Sequence, residues 1–145
     1  YRILRLCNVL GVGDLKASTR KNAITHMINN LKDGADVLLY DNGRHSRDIM
    51  HILDICRAIN LVIQKGNTNT IYNIGRGHSV TIREIIDAAY NCLKSNSQII
   101  NTKLPPEYRH SHIDNMILDV KKLQSLGFKP AISIQTIVEE LCTIS

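Results

Sequence analysis

Along this chain, short runs of β-rich residues alternate with stretches whose apolar residues recur every three or four positions. That alternation restricts the fold more than any other feature, because it calls for strands covered by helices, an α/β architecture. Residues 2–10 (RILRLCNVL) read as one strand, broken by Gly11-Val12-Gly13-Asp14. Ile24, Met27, Ile28 and Leu31 predict a helix over about residues 20–33, with Ser18 or Thr19 as cap and Gly34 as stop. Val37–Tyr40 is a short strand ended by the turn Asp41-Asn42-Gly43. Ile52, Ile55, Cys56, Ile59 and Ile63 form the stripe of a second helix over about 52–65, closed by Gly66. Thr70–Ile74 is another strand, and Thr81 with Glu84 forms a capping box for a helix lined by Ile82, Ile85, Ile86, Ala89, Tyr90 and Leu93. Met116-Ile117-Leu118 is briefly extended, Asp119 caps a short helix ending at Gly127, and Ser133 caps the last helix.

The length of 145 residues suits a single domain with a modest core. No apolar run approaches the ~20 residues of a membrane helix, and no signal peptide is visible. A cytoplasmic protein without a membrane partner is expected. The chain opens at Tyr1 rather than Met, so further residues are expected upstream. The net charge of +5 suggests nucleic acid, but the 18 Lys and Arg are dispersed from Arg2 to Lys129 without a run longer than two. One Phe and no Trp leave little to stack on bases. A nucleic-acid partner is therefore not expected, and a basic nucleic-acid-binding domain is the weakest alternative. Cys7, Cys56, Cys92 and Cys142 form no CxxC pair and sit in apolar segments, which predicts reduced, buried thiols. No metal site is expected. His110 and His112 are the only close histidine pair, and the loop around them has no further ligands at suitable spacing.

Four motifs in order resemble the C-terminal part of the NAD-dependent epimerase/dehydratases, the extended short-chain dehydrogenase/reductases that act on nucleotide sugars. Arg5-Leu6-Cys7-Asn8-Val9-Leu10-Gly11 is similar to R-x-x-N-x-Y-G-P, with Leu10 for the usual aromatic and Val12 for the usual proline. Gly43–Asp54 resembles G-x-x-x-R-D-x-x-H-V-x-D through Arg47, Asp48, His51 and Asp54. Ile71–Gly77 resembles Y-N-I-G-x-G, and Leu118–Pro130 resembles D-x-x-K-L-x-x-L-G-F-x-P. The resemblance implies a C-terminal substrate lobe, residues 1–145, in which 1–13 add a strand to a Rossmann-like sheet whose N-terminal portion lies outside this chain. It also implies NAD(P) in the complete protein and a homodimer. The glycine-rich fingerprint is absent here, and no catalytic Y-x-x-x-K is recognised at the start of the chain. Tyr1 is followed at the fourth position by Arg5. No catalytic residue is therefore assigned, no cofactor is expected on these residues alone, and the chain is expected to be inactive by itself.

The resemblance places a nucleotide-diphosphate sugar against particular side chains. Arg47 stands at the diphosphate position, where a guanidinium fork suits phosphate oxygens; otherwise it is a surface arginine pairing Asp48. Arg109 is a second phosphate arginine by the same resemblance. Asn8 ends the first strand, where α/β sheets bind ligands, and is assigned to substrate and cofactor; otherwise it is a turn asparagine. Tyr40 and Asn22 face the nucleobase, although Tyr40 also suits a core aromatic. Asn73 contacts the ligand or caps a turn before Gly75. His51 reads as a structural, hydrogen-bonded histidine, and Asp48 and Asp54 as helix-entry and capping groups. A non-catalytic module that binds nucleotide sugars is the other reading of the same residues.

Overall fold

The computed structural model describes residues 1–12, 22–106 and 113–143. In chain order the elements are β1 (Arg2–Leu6), β2 (Asn8–Leu10), α1 (Ala23–Lys32), β3 (Val37–Tyr40), β4 (Ser46–His51), α2 (Ile52–Lys65), β5 (Thr70–Ile74), β6 (Ser79–Thr81), α3 (Ile82–Leu93), β7 (Ile99–Thr102), β8 (Asn115–Met116), α4 (Lys121–Ser125) and α5 (Ile134–Thr143). The α/β class follows the sequence pattern.

The run read as one strand over 2–10 is two strands. The chain changes partner at Cys7: β1 pairs in parallel with β5, and β2 pairs in parallel with β4. β4 also takes β6 antiparallel and β8 parallel, while β3 pairs in parallel with β7. Consecutive residues of β4 face opposite cores, as a pleated strand requires. Ile49 joins Leu10 under α1, α3 and α5, against Ile28, Ile85, Ile86 and Ile137. Met50 packs the other way, with Cys7, Ile55, Val62, Tyr72 and Phe128.

Helix ends obey local chemistry more closely than helix faces do. Thr81 Oγ1 accepts from Glu84 N–H while the Glu84 carboxylate accepts from Thr81 N–H, so the capping box forms in full. These bonds from Thr81 hold the Glu84 carboxyl below its ordinary pKa. Ser133 Oγ accepts from Thr136 N–H at the start of α5. α1 begins three residues later than expected and is capped by Asn22, whose side chain accepts from Thr25 N–H at 3.3 Å. Ser18 and Thr19 lie outside the described residues. Asp119 accepts from Lys121 N–H, although the cap position of α4 is Val120.

The stripe expected on α2 is rotated. Ile55, Ala58 and Val62 are buried, whereas Cys56 and Ile63 are exposed. Apolar residues surround this helix, so periodicity alone leaves its orientation open. Asp54 decides it. Its fully buried carboxylate accepts from Ala131 and Ile132 N–H, 2.9 Å each, and pairs with Arg57. The thiols need the same correction: Cys7 is buried and Cys142 half-buried, but Cys56 and Cys92 are exposed. Burial, reinforced by the nearby Asp48 carboxylate, pushes the Cys7 thiol up to about 12.

Asp48 is not a helix-entry group. It lies in the middle of β4, fully buried, and accepts from Arg76 N–H at 2.8 Å, Gly77 N–H at 2.9 Å and Leu118 N–H at 3.4 Å. One carboxylate thus ties β4 to the β5–β6 connection and to the segment after β8. Gly75 allows this approach, since a Cβ there would stand 2.7 Å from Asp48 Oδ2. The Arg76 guanidinium completes the corner by donating to Ile49 O and Ile132 O. Asp48→Ala would leave three buried N–H groups without an acceptor. It is expected to cost about 3 kcal/mol or more, read by urea denaturation; a loss below about 1 kcal/mol would show that the carboxylate holds nothing together.

Candidate functional site

A cleft of about 430 Å³ opens on the α1 side of the β2–β4 ladder. Strand register builds its floor. Asn8 pairs with Ile49 in parallel, and side chains two residues apart share a face, so Arg47 and Asn8 point the same way. The start of α1 contributes Asn22, Ala23, Ile24 and Met27. Leu39 and Tyr40 close the far side from the end of β3, and Ile82 enters from the start of α3.

Arg47 is the charged group of this floor. It is half-buried, and its Nη1 donates to Ser46 O at 2.8 Å and to Asp114 O at 3.4 Å. Among the described residues its Nε and Nη2 have no hydrogen-bond partner. Burial lowers its pKa and the Asp114 charge opposes that shift. A guanidinium always stays charged in a protein. A partly dehydrated guanidinium with donors to spare therefore gains from an anion. Asp48 faces the other side of the strand, so the expected alternative of Arg47 pairing Asp48 does not form.

Four of the six expected binding residues, Asn8, Asn22, Tyr40 and Arg47, line this one cleft. Asn22 does so while capping α1, which commits its carbonyl oxygen and leaves its amide group for the cleft. Tyr40 is half-buried at the mouth of the turn rather than sealed in the core. Asn73 does not join them. It donates to Asp119 O at 2.9 Å and lines a separate depression of about 290 Å³ with Arg5, Lys121 and Lys122. Arg109 lies outside the described residues.

Two cleft residues escape the sequence reading. His45 is buried between two carboxylates, with Asp114 Oδ1 at 3.4 Å from Nδ1 and Asp41 Oδ2 at 3.7 Å from Nε2. Its position two before Arg47 would have flagged it, had β4 been recognised as a strand. Gly43 ends a turn in which Asp41, Asn42 and Gly43 all have positive φ, and a Cβ there would meet Arg83 N at 2.9 Å. His51, by contrast, is the structural histidine expected. Its Nδ1 accepts from Leu53 N–H, so Nε2 carries the proton and donates to Glu140 at 2.6 Å.

A Cβ at Gly11 would stand 2.7 Å from Ile52 and 3.0 Å from the His51 ring, so this glycine serves close packing. Among the described residues, no group of three His, Cys, Asp or Glu could hold a metal ion, and no helix is long and apolar enough to cross a membrane.

Comparison with known proteins adds four findings. The model of the NAD dependent epimerase/dehydratase family matches residues 1–75. The dTDP-glucose 4,6-dehydratase of Actinoplanes sp. is 30% identical over 109 residues, which cover 72% of this chain and 32% of that protein. Among solved structures, dTDP-glucose 4,6-dehydratase of Streptomyces venezuelae with NAD and TYD bound is 29% identical, with a TM-score of 0.80 over 97% of this chain and 42% of that one. UDP-N-acetylglucosamine 4-epimerase of Methanobrevibacter ruminantium M1, in complex with UDP-N-acetylmuramic acid, is 24% identical with a TM-score of 0.85, over 98% of this chain and 44% of that one. The chain thus spans less than half the length of each of these relatives.

Gly43 and Gly34 provide a paired test of the cleft wall, with φ of +68° and +69°. Nothing lies within 4 Å of a Cβ at Gly34. Gly34→Ala is expected to cost about 1 kcal/mol from backbone strain alone, and Gly43→Ala about 3 kcal/mol because the cleft wall must also move. Equal losses in thermal denaturation would show that the wall gives freely.

Proposed function

The chain belongs to the NAD dependent epimerase/dehydratase family, and we propose that it supplies the lobe that grips the nucleotide diphosphate of a sugar nucleotide. The observation that carries this reading is the meeting of Asn8, Asn22, Tyr40 and Arg47 around one cleft. These residues come from β2, the α1 cap, β3 and β4, which no local pattern brings together.

Each side chain has a task that its chemistry suits. Arg47 takes diphosphate oxygens on Nε and Nη2. Tyr40 offers an aromatic surface to the base, with Leu39 and Met27 as apolar lining and the Asn22 amide as a polar contact. Asn8 holds the sugar end at the strand terminus and faces the cofactor of the complete enzyme. Reading base and phosphate in this way fixes the reacting sugar in position without acting on it.

NAD is the hydride acceptor of the family. It does not fit the described residues alone, because they contain no glycine-rich turn opening a helix. The one Y-x-x-x-K of the chain, Tyr90 to Lys94, lies at the C-terminal end of α3, where Tyr90 packs against the core instead of lining the cleft, so it supplies no base there. We assign the glycine-rich turn and the catalytic pair to the part of the relatives that this chain does not cover. The sheet supports that division. Among the described residues β1 and β5 form a two-stranded parallel sheet, and Ile3 and Ile71, paired in register, are 46% and 36% exposed on its outer face. Parallel strands are normally buried on both faces, and two strands do not stand alone. An edge and a face of this kind suit continuation into a Rossmann-like sheet.

Calorimetric titration of the chain with UDP and dTDP tests the proposal. At least one diphosphate is expected to bind, and Arg47→Met to weaken it by a factor of about 10–100, the loss of one or two charge-assisted hydrogen bonds. NAD with a UDP- or dTDP-sugar is expected to give no turnover on this chain alone. Binding unaffected by Arg47→Met would overturn the assignment of the cleft, and turnover would overturn the division of labour.

A further inference from the structure

Away from the cleft, two thiols meet where helices α3 and α5 pack together. Cys142, near the end of α5, points its Sγ at Ala89 O of α3, 3.9 Å away. Ala89 lies one helical turn before Cys92, and residues three apart share a helix face. The Cys92 side chain accordingly lies beside the Cys142 thiol, close enough for the two to interact. Neither is locked in a disulfide.

The two partners differ in the ways an oxidisable pair requires. Cys92 is exposed, so an oxidant in solvent reaches it. Cys142 is half-buried, beside Ala89 and the core formed by α1, α3 and α5. Burial, then the neighbouring Cys92, pushes the Cys142 thiol up to about 12, so it stays protonated at neutral pH and is a poor first nucleophile. The remaining cysteines have other surroundings: Cys7 is sealed beneath β4, and Cys56 is exposed on α2.

We propose that Cys92 and Cys142 are a redox modification site, oxidised by peroxide to a disulfide that staples α3 to α5. The Cys92 thiolate attacks one peroxide oxygen, the O–O bond breaks, and the departing hydroxide takes up a proton to leave as water. The resulting Cys92 sulfenic acid is then attacked by the Cys142 sulfur. An S–S bond forms, the S–O bond breaks, and the leaving hydroxide takes the Cys142 proton as a second water. Two thiols are oxidised and one hydrogen peroxide is reduced to two waters. The staple closes a loop of about 50 residues, from Cys92 to Cys142, a length at which cross-links restrict the unfolded chain strongly. It also fixes α5, the helix whose Glu140 holds His51. α3 reaches the cleft at Ile82, about 15 Å of helix from Cys92, so the staple acts on stability and leaves ligand binding in place.

The protein is treated with stoichiometric hydrogen peroxide under native conditions, the remaining thiols are alkylated, and the peptides are mapped by mass spectrometry. The expected product is a Cys92–Cys142 cross-linked peptide that dithiothreitol reverses and that is absent from Cys92→Ser. Oxidised protein is expected to melt roughly 5–10 °C higher, with no rise for Cys92→Ser. Cys92 ending as sulfinic or sulfonic acid while Cys142 remains alkylatable would overturn the proposal. So would a cross-linked peptide formed only after the protein is denatured. Neither outcome touches the assignment of the cleft.

Discussion

One buried carboxylate organises this fold. Asp48 sits at zero exposure in the middle of β4 and accepts three backbone N–H groups from two segments distant in sequence. A buried charge is costly unless it is fully hydrogen-bonded, so the positions of residues 76–77 and 118 are not free to drift. Three residues on, His51 caps α2 through Nδ1 and reaches α5 through Glu140. Asp54 then holds residues 131 and 132. The stretch from Arg47 to Asp54 is thus a row of anchors on one strand and the helix turn that follows it. Only its first residue, Arg47, looks into the cleft.

This arrangement gives Arg47 its value. A surface arginine moves freely and is well hydrated. Arg47 is instead fixed by a strand that Asp48 pins from the opposite face, and two bonds from its Nη1 set the direction of the guanidinium. The cleft around it is built from elements that meet only because the two cores lie on either side of β4. Preorganisation of this kind lets a few side chains hold an anionic ligand without a large ordering cost.

The sequence pattern exposed some of this and hid the rest for definite reasons. The capping box at Thr81 and Glu84, the bounds of α2 and the serine at the start of α5 were legible because they depend on neighbours three residues away. β4 was not, because Arg47, Asp48 and His51 interrupt the apolar alternation that marks a strand. The burial that those residues tolerate comes from partners about thirty to ninety residues away. The same long-range bond, from Asp54 to residues 131–132, turned α2 away from the face its isoleucines suggested. The cleft residues Asn8, Asn22, Tyr40 and Arg47 were found through the family resemblance rather than through periodicity. His45 was missed because its place depends on a strand not yet recognised. Asn73 resembles a binding residue by motif, but its amide is spent on Asp119 O at a different surface.

The location of the ligand is the most direct test of the cleft. Amide chemical shifts of the isotopically labelled chain, followed by nuclear magnetic resonance during titration with UDP and dTDP, read that location residue by residue. Shifts centred on Asn8, Asn22, Tyr40 and Arg47 are expected, with the depression formed by Asn73, Lys121 and Lys122 unmoved. Shifts confined to that depression, or spread evenly over the basic surface, would contradict a nucleotide diphosphate held over β4.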